Sequence, residues 1–116
     1  MTVSRKPRIH LKLQVVYDDG ASFMSGSAID MSETGLFIET VMPLEPGTTV
    51  RLMPLIPGDD SSVLEIEGQV MRKAEYDLDN HFDRTPGMGI RFTSLTGEQR
   101  AAIAGLLQRG RSDPSA

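Results

Sequence analysis

From Ile9 to Tyr17 the chain alternates with a period of two. Ile9, Leu11, Leu13, Val15 and Tyr17 take every second position, and His10, Lys12, Gln14 and Val16 fall between them. Side chains of an extended strand point alternately to opposite faces, so this run makes one apolar face and one largely polar face. That is a long half-buried strand, and a half-buried strand needs a sheet to complete it. Asp18-Asp19-Gly20 follows with turn chemistry, because Asp bonds its own backbone locally and Gly accepts positive φ.

The same alternation of strand and punctuation continues. Ser22 to Asp30 reads as a weaker strand, diluted by Ser25, Gly26 and Ser27, and Leu36-Phe37-Ile38 restarts one after the turn at Ser32–Gly35. Pro43, Pro46 and Gly47 mark a loop, and Thr48 to Ile56 is a further strand in which Pro54 belongs at an edge, a bulge or a strand end. Pro57-Gly58-Asp59-Asp60 turns again. Leu64, Ile66 and Val70 then face one way, Glu65, Glu67 and Gln69 the other, and Gly68 marks a bend or bulge. Glu75 to Pro86 is a polar connection before a last strand, in which Met88, Ile90 and Phe92 alternate with Gly89, Arg91 and Thr93.

Only the end reads as helical. Thr96 with Gln99 three positions on makes a capping box, and Ile103, Leu106 and Leu107 share one face at helical spacing. Gly110 is the expected stop. Six or seven short strands followed by one amphipathic helix fit a closed antiparallel barrel, with the helix plugging or flanking one opening. A length of 116 residues suits one core. The expected organisation is a barrel domain over 1–110 with a basic arm at 1–8, then a flexible tail at 111–116.

Composition narrows the functions. The net charge is −4 and the pI is near 5.1, which opposes binding to a nucleic acid polymer, a task that needs an extended basic face. With no cysteine there is no disulfide, thiolate metal site or thiol nucleophile, and a reducing compartment fits. No run is long enough for membrane insertion, and the front of the chain lacks the apolar stretch of a signal peptide, so a cytoplasmic protein is expected. His10 and His81 are far apart and suggest no metal centre. Asp77 to Asp83 fails the calcium-loop pattern, because Phe82 stands where its glycine belongs. No nucleophile elbow, P-loop or paired-carboxylate motif is present, so neither an enzyme nor a bound cofactor is expected.

Two local features stand out from this acidic background. Arg5-Lys6-Pro7-Arg8 gathers cations at the front of the chain, and Asp30-Met31-Ser32-Glu33-Thr34-Gly35 places a carboxylate, a hydroxyl and a glycine at a hairpin tip. Together they suit a compact anion held between an arm and a turn. Each also has a plainer reading: the arm as a solvated basic terminus, and Asp30 with Ser32 as a hydrogen-bonded turn.

With the basic arm, the Asp-x-Ser-x-x-Gly turn at Asp30, Ser32 and Gly35, the Gly87-Met88-Gly89-Ile90-Arg91-Phe92 strand and the closing helix, the chain resembles the PilZ domain family over nearly its whole length. The resemblance implies an all-β fold, a six-stranded antiparallel barrel with a C-terminal α-helix. It also implies a receptor for cyclic di-GMP that signals to a protein partner in motility, pilus or exopolysaccharide control. The implied ligand contacts are Arg5, Arg8, Asp30, Ser32 and Gly35. The arginines would meet phosphate or guanine edges, Asp30 would accept from guanine N–H groups, and Ser32 would donate its hydroxyl. Gly35 would take positive φ and leave room for the ligand. The family's arm separates its arginines by three residues, whereas here Lys6 and Pro7 alone separate Arg5 from Arg8. The alternative is therefore a PilZ-like interaction module that no longer binds cyclic di-GMP.

Overall fold

A computed structural model of the protein describes residues 9–55, 64–74 and 85–112. The arm at 1–8, the Pro57–Asp60 turn, most of the Glu75–Pro86 connection and the last residues of the tail lie outside the described residues. The elements are β1 (Ile9–Asp18), β2 (Phe23–Met31), β3 (Gly35–Glu39), β4 (Thr49–Pro54), β5 (Ile66–Ala74), β6 (Gly87–Ser94) and α1 (Gly97–Ser112). The strands form a closed antiparallel barrel in the order β1-β2-β3-β6-β5-β4, with β4 pairing back onto β1.

The apolar alternation lines the interior. Leu13, Val15 and Tyr17 of β1 are buried together with Met88, Ile90 and Phe92 of β6. Pro54 is the last residue of β4, one of the places where a strand tolerates a residue that cannot donate. A register shift falls between Glu67 and Gly68, as the glycine suggested. The β1–β2 turn also forms as read. Gly20 has φ of 96°, its N–H donates to Asp18 Oδ1 at 2.8 Å, and the Ala21 and Ser22 N–H groups donate to Asp19 Oδ1.

One irregularity in β2 has consequences for the site. Ala28 pairs with Ile38 but Asp30 pairs with Phe37, so Ile29 is an extra residue. A strict alternation from buried Ala28 would turn Asp30 inward. The bulge shifts the phase by one, so Met31 goes into the core fully buried and Asp30 takes the outer face.

The helix start is the capping box. The Thr96 N–H donates to Gln99 Oε1 at 2.8 Å, and the Gln99 N–H donates to Thr96 Oγ1 at 3.1 Å. Gln99 Nε2 also donates to the Glu65 carbonyl, which ties the cap to the entry of β5. Ile103, Leu106 and Leu107 join the core, and α1 packs against β1. Gly110 does not end the helix, which runs through Gly105 and Gly110 to Ser112. A glycine stops a helix only when it turns left-handed; left helical it costs only about 1 kcal/mol.

Candidate ligand-binding site

The turn between β2 and β3 is held by its own side chains. The Ser32 N–H donates to the Gly35 carbonyl at 2.8 Å. The Thr34 N–H donates to Ser32 Oγ at 3.2 Å, and the two hydroxyls are 3.2 Å apart. Ser32 is only 1% exposed and is the one buried polar residue among those described. Its hydroxyl is first of all a turn-forming group. Asp30 lies outside the barrel at the end of β2, half-buried.

Gly35 is a glycine for a different reason from the one expected. Its φ is not positive; among the described residues only Gly20 and Gly47 have positive φ. A Cβ at Gly35 would lie 2.2 Å from the Ile90 carbonyl oxygen, so the missing side chain lets β6 approach β3. The room it leaves is taken by a strand.

The outer face beside this turn carries a row that crosses four strands. Asp30 pairs with Phe37, Phe37 with Gly89, and Gly89 with Arg72. Phe37 points away from the core cluster that holds its neighbours Leu36 and Ile38, yet it is only 9% exposed. Arg72 covers it, the guanidinium carbon standing 5.7 Å from the ring centroid. Gly89 lies beneath Arg72, where a Cβ would come within 3.2 Å of Arg72 Nε and 3.3 Å of Cγ.

This row borders a groove of about 570 Å³ lined by Thr34, Gly35, Phe37, Arg72, Gly89 and Arg91 among others. Arg91 is the register partner of both Gly35 and Gln69 and is exposed. Among the described residues, neither Arg72 nor Arg91 has a carboxylate within ion-pairing distance. The groove therefore offers two guanidinium groups next to the Asp30 turn.

The remaining expected contacts, Arg5 and Arg8, lie outside the described residues. The register fixes where their segment joins the barrel: Ile9 is opposite Met31 and His10 opposite Asp30. Arg8 is bonded to Ile9, so the arm is attached beside the Asp30–Gly35 turn. Arg72 and Arg91 were missed from sequence because each reads as an ordinary polar-face residue. What brings them to the turn is the β3–β6–β5 adjacency, and no local spacing announces it.

A second groove, of about 690 Å³, has the opposite character. Among the described residues, Asp18, Asp19, Glu65 and Glu67 line it with a single cation, Arg51. Arg51 Nη2 is 2.7 Å from Asp18 Oδ2, and Nη1 is 3.9 Å from Glu65 Oε1. The Gly20 N–H and then Arg51 hold Asp18 below the usual carboxylate range; the Ala21 and Ser22 N–H groups do the same for Asp19. Asp18, and then the charge of Glu65, raise Arg51. Among the described residues no cluster of His, Cys, Asp or Glu is arranged to hold a metal ion. Nor is any described helix long and apolar enough to cross a membrane.

The PilZ domain family matches residues 3–109. No curated protein matches the chain by sequence. Among solved structures, the chain is similar to the Bacillus subtilis inhibitor of motility MotI/DgrA, with a TM-score of 0.76 at 14% identity over 98% of this chain and 53% of that one. It spans about half the length of that protein. The PilZ domain of YcgR from Escherichia coli, solved with c-di-GMP, gives a TM-score of 0.73 at 16% identity over 95% of this chain and 92% of that one. The PilZ domain of CeSA from a cellulose-synthesizing bacterium gives 0.65 at 19% identity, covering 89% and 96%. At these identities the likeness is one of fold, and it agrees with the six-stranded barrel and closing helix expected from the sequence.

Proposed function

Because the chain belongs to the PilZ domain family, we propose that it is a receptor for cyclic di-GMP and not an enzyme. The observation that carries this reading is the register at the Asp30 turn. It sets Ile9, to which the arm bearing Arg5 and Arg8 is bonded, opposite Met31 and next to Asp30, which supports a site that draws cations from the arm and a carboxylate from the hairpin. The solved PilZ domain of YcgR with c-di-GMP supports the choice of ligand.

In this reading Arg5 and Arg8 meet phosphate as planar forks. Asp30 accepts from guanine N–H groups with its two oxygens. Ser32 and Gly35 act mainly by shaping the backbone: the Ser32 hydroxyl holds the turn, and Gly35 lets the neighbouring strand come close. Ligand contact fixes the position of the arm, and a protein partner reads the resulting surface in motility, pilus or exopolysaccharide control. The reading places the protein in the cytoplasm.

Titration calorimetry tests it. A hydrogen bond to a charged group is worth about 1.5–3 kcal/mol, so Arg8→Ala and Asp30→Ala should each weaken cyclic di-GMP binding at least tenfold. At a hundredfold excess over Kd the ligand should stabilise the wild type by about 2.7 kcal/mol, visible as a rise in Tm. Wild-type protein that gives neither heat nor thermal shift overturns the receptor reading. It would favour the second one, an interaction module without the nucleotide, which the two-residue spacing between Arg5 and Arg8 supports.

A further inference from the structure

We propose that Arg72 is a base-stacking residue of this site, and that the groove it lines receives the half of the ligand farther from Asp30. The inference rests on the receptor reading and extends it to a part of the barrel that the arm and turn do not include.

Three observations carry it. The first is placement. Asp30 and Arg72 are the two ends of one outward-facing row, Asp30–Phe37–Gly89–Arg72, with β3 and β6 between them. Neighbouring strands are about 4.8 Å apart, so the row spans roughly 14 Å of barrel surface. A ligand with two bases can place one at each end.

The second is presentation. Arg72 is laid over two supports, the ring of Phe37 and the bare backbone of Gly89. A guanidinium is flat and weakly hydrated and stacks on aromatic faces. The guanidinium carbon stands 5.7 Å from the Phe37 centroid while the residue is exposed and lines the groove, so the guanidinium is open to a ligand there. A purine lying on it would complete a ring–guanidinium–base stack. Gly89 contributes by having no side chain to lift Arg72 off the strand.

The third is charge. Arg91 stands across the same groove, and among the described residues neither arginine is committed to a carboxylate. In a protein of net charge −4 this is an uncommon local surplus. It fits an anion whose phosphate lies between the base on Arg72 and the turn at Thr34–Gly35. The occupant is thus a purine nucleotide carrying negative charge, positioned so that Asp30 and Arg72 address different ends of it.

The test is titration of wild-type protein, Arg72→Ala, Arg72→Lys and Arg91→Ala with cyclic di-GMP, with Tm recorded without ligand for each. Arg72→Ala should lower affinity about tenfold in a protein that still unfolds cooperatively, with Tm lowered only by the uncovering of Phe37. Arg72→Lys, which keeps the charge and loses the plane, should stay at least fivefold weaker than wild type, and Arg91→Ala should lose several-fold. Wild-type binding with Arg72→Ala equally tight overturns the inference and leaves the receptor reading standing. Full rescue by Arg72→Lys overturns stacking in favour of charge alone. Wild-type protein that does not bind removes the receptor reading and this inference with it.

Discussion

Among the described residues the barrel carries two grooves of similar size that differ in the circumstance of their arginines, both built on cross-strand neighbours. Arg51 lies between Asp18 and Glu65, with Glu67 as its register partner. Arg91 has Gln69 at the corresponding place, and Arg72 has Gly89. One guanidinium is engaged in holding the β1–β2 hairpin to β4; the other two are left to the groove. A basic residue becomes a ligand handle through what its neighbours withhold, and residue type alone does not distinguish the cases.

The most drastic way to break the basic groove is to separate the strands that form it. Gly35→Ala would drive a Cβ into the Ile90 carbonyl. Overpacking against backbone should cost roughly 3 kcal/mol, read as a lower urea midpoint, and should abolish nucleotide binding. An alanine variant as stable as wild type would show that β3 and β6 can part without loss, contrary to the role given to this glycine.

A gentler change makes one groove resemble the other. Gln69→Glu puts a carboxylate opposite Arg91, as Glu67 stands opposite Arg51. An exposed ion pair is worth about 0.2–1 kcal/mol, so ligand affinity should fall by about 1.4- to fivefold. Stability should move by less than about 0.5 kcal/mol. Unchanged affinity would mean that Arg91 does not face the ligand.

These substitutions also mark where sequence reading succeeds and where it stops. The β1 alternation and the Thr96–Gln99 box are legible because the groups that decide them are near neighbours in the chain. The Ile29 bulge is not, since a one-residue phase shift appears only when two strands are laid in register. The reason for Gly35 is hidden in the sequence for a related cause. A sequence shows that a side chain is missing, and a turn is the nearest explanation; the Ile90 carbonyl that fills the space is 55 residues away in the chain. Arg72 and Arg91 escaped notice because strand order, and not spacing, brings them beside Thr34. Of the proposed contacts, Asp30, Ser32 and Gly35 are gathered in one turn as the motif suggested, while Arg5 and Arg8 lie outside the described residues.

The smallest expected effect belongs to the acidic groove. The carboxyl groups of Asp18 and Asp19 are held below their ordinary pKa in the folded protein. Stability from them is complete above the unfolded value of about 3.9 and is lost as pH falls below it toward the folded values. Replacing both with Asn should flatten the dependence of the urea midpoint on pH below about 4. The profile at neutral pH should keep its shape. An unaltered acid limb in the double variant would remove these groups from the account.

The seam that closes the barrel has a mechanical consequence. Among the described residues, β4 grips β1 only along Val15–Asp18, with one more bond from the Leu55 N–H to the Gln14 carbonyl. Ahead of Gln14, among the described residues, the strand is laddered on its β2 side, and α1 rests against β1. Among the described residues, tension applied at the front of the chain therefore meets the β1–β2 ladder and a helix before it meets the closed wall.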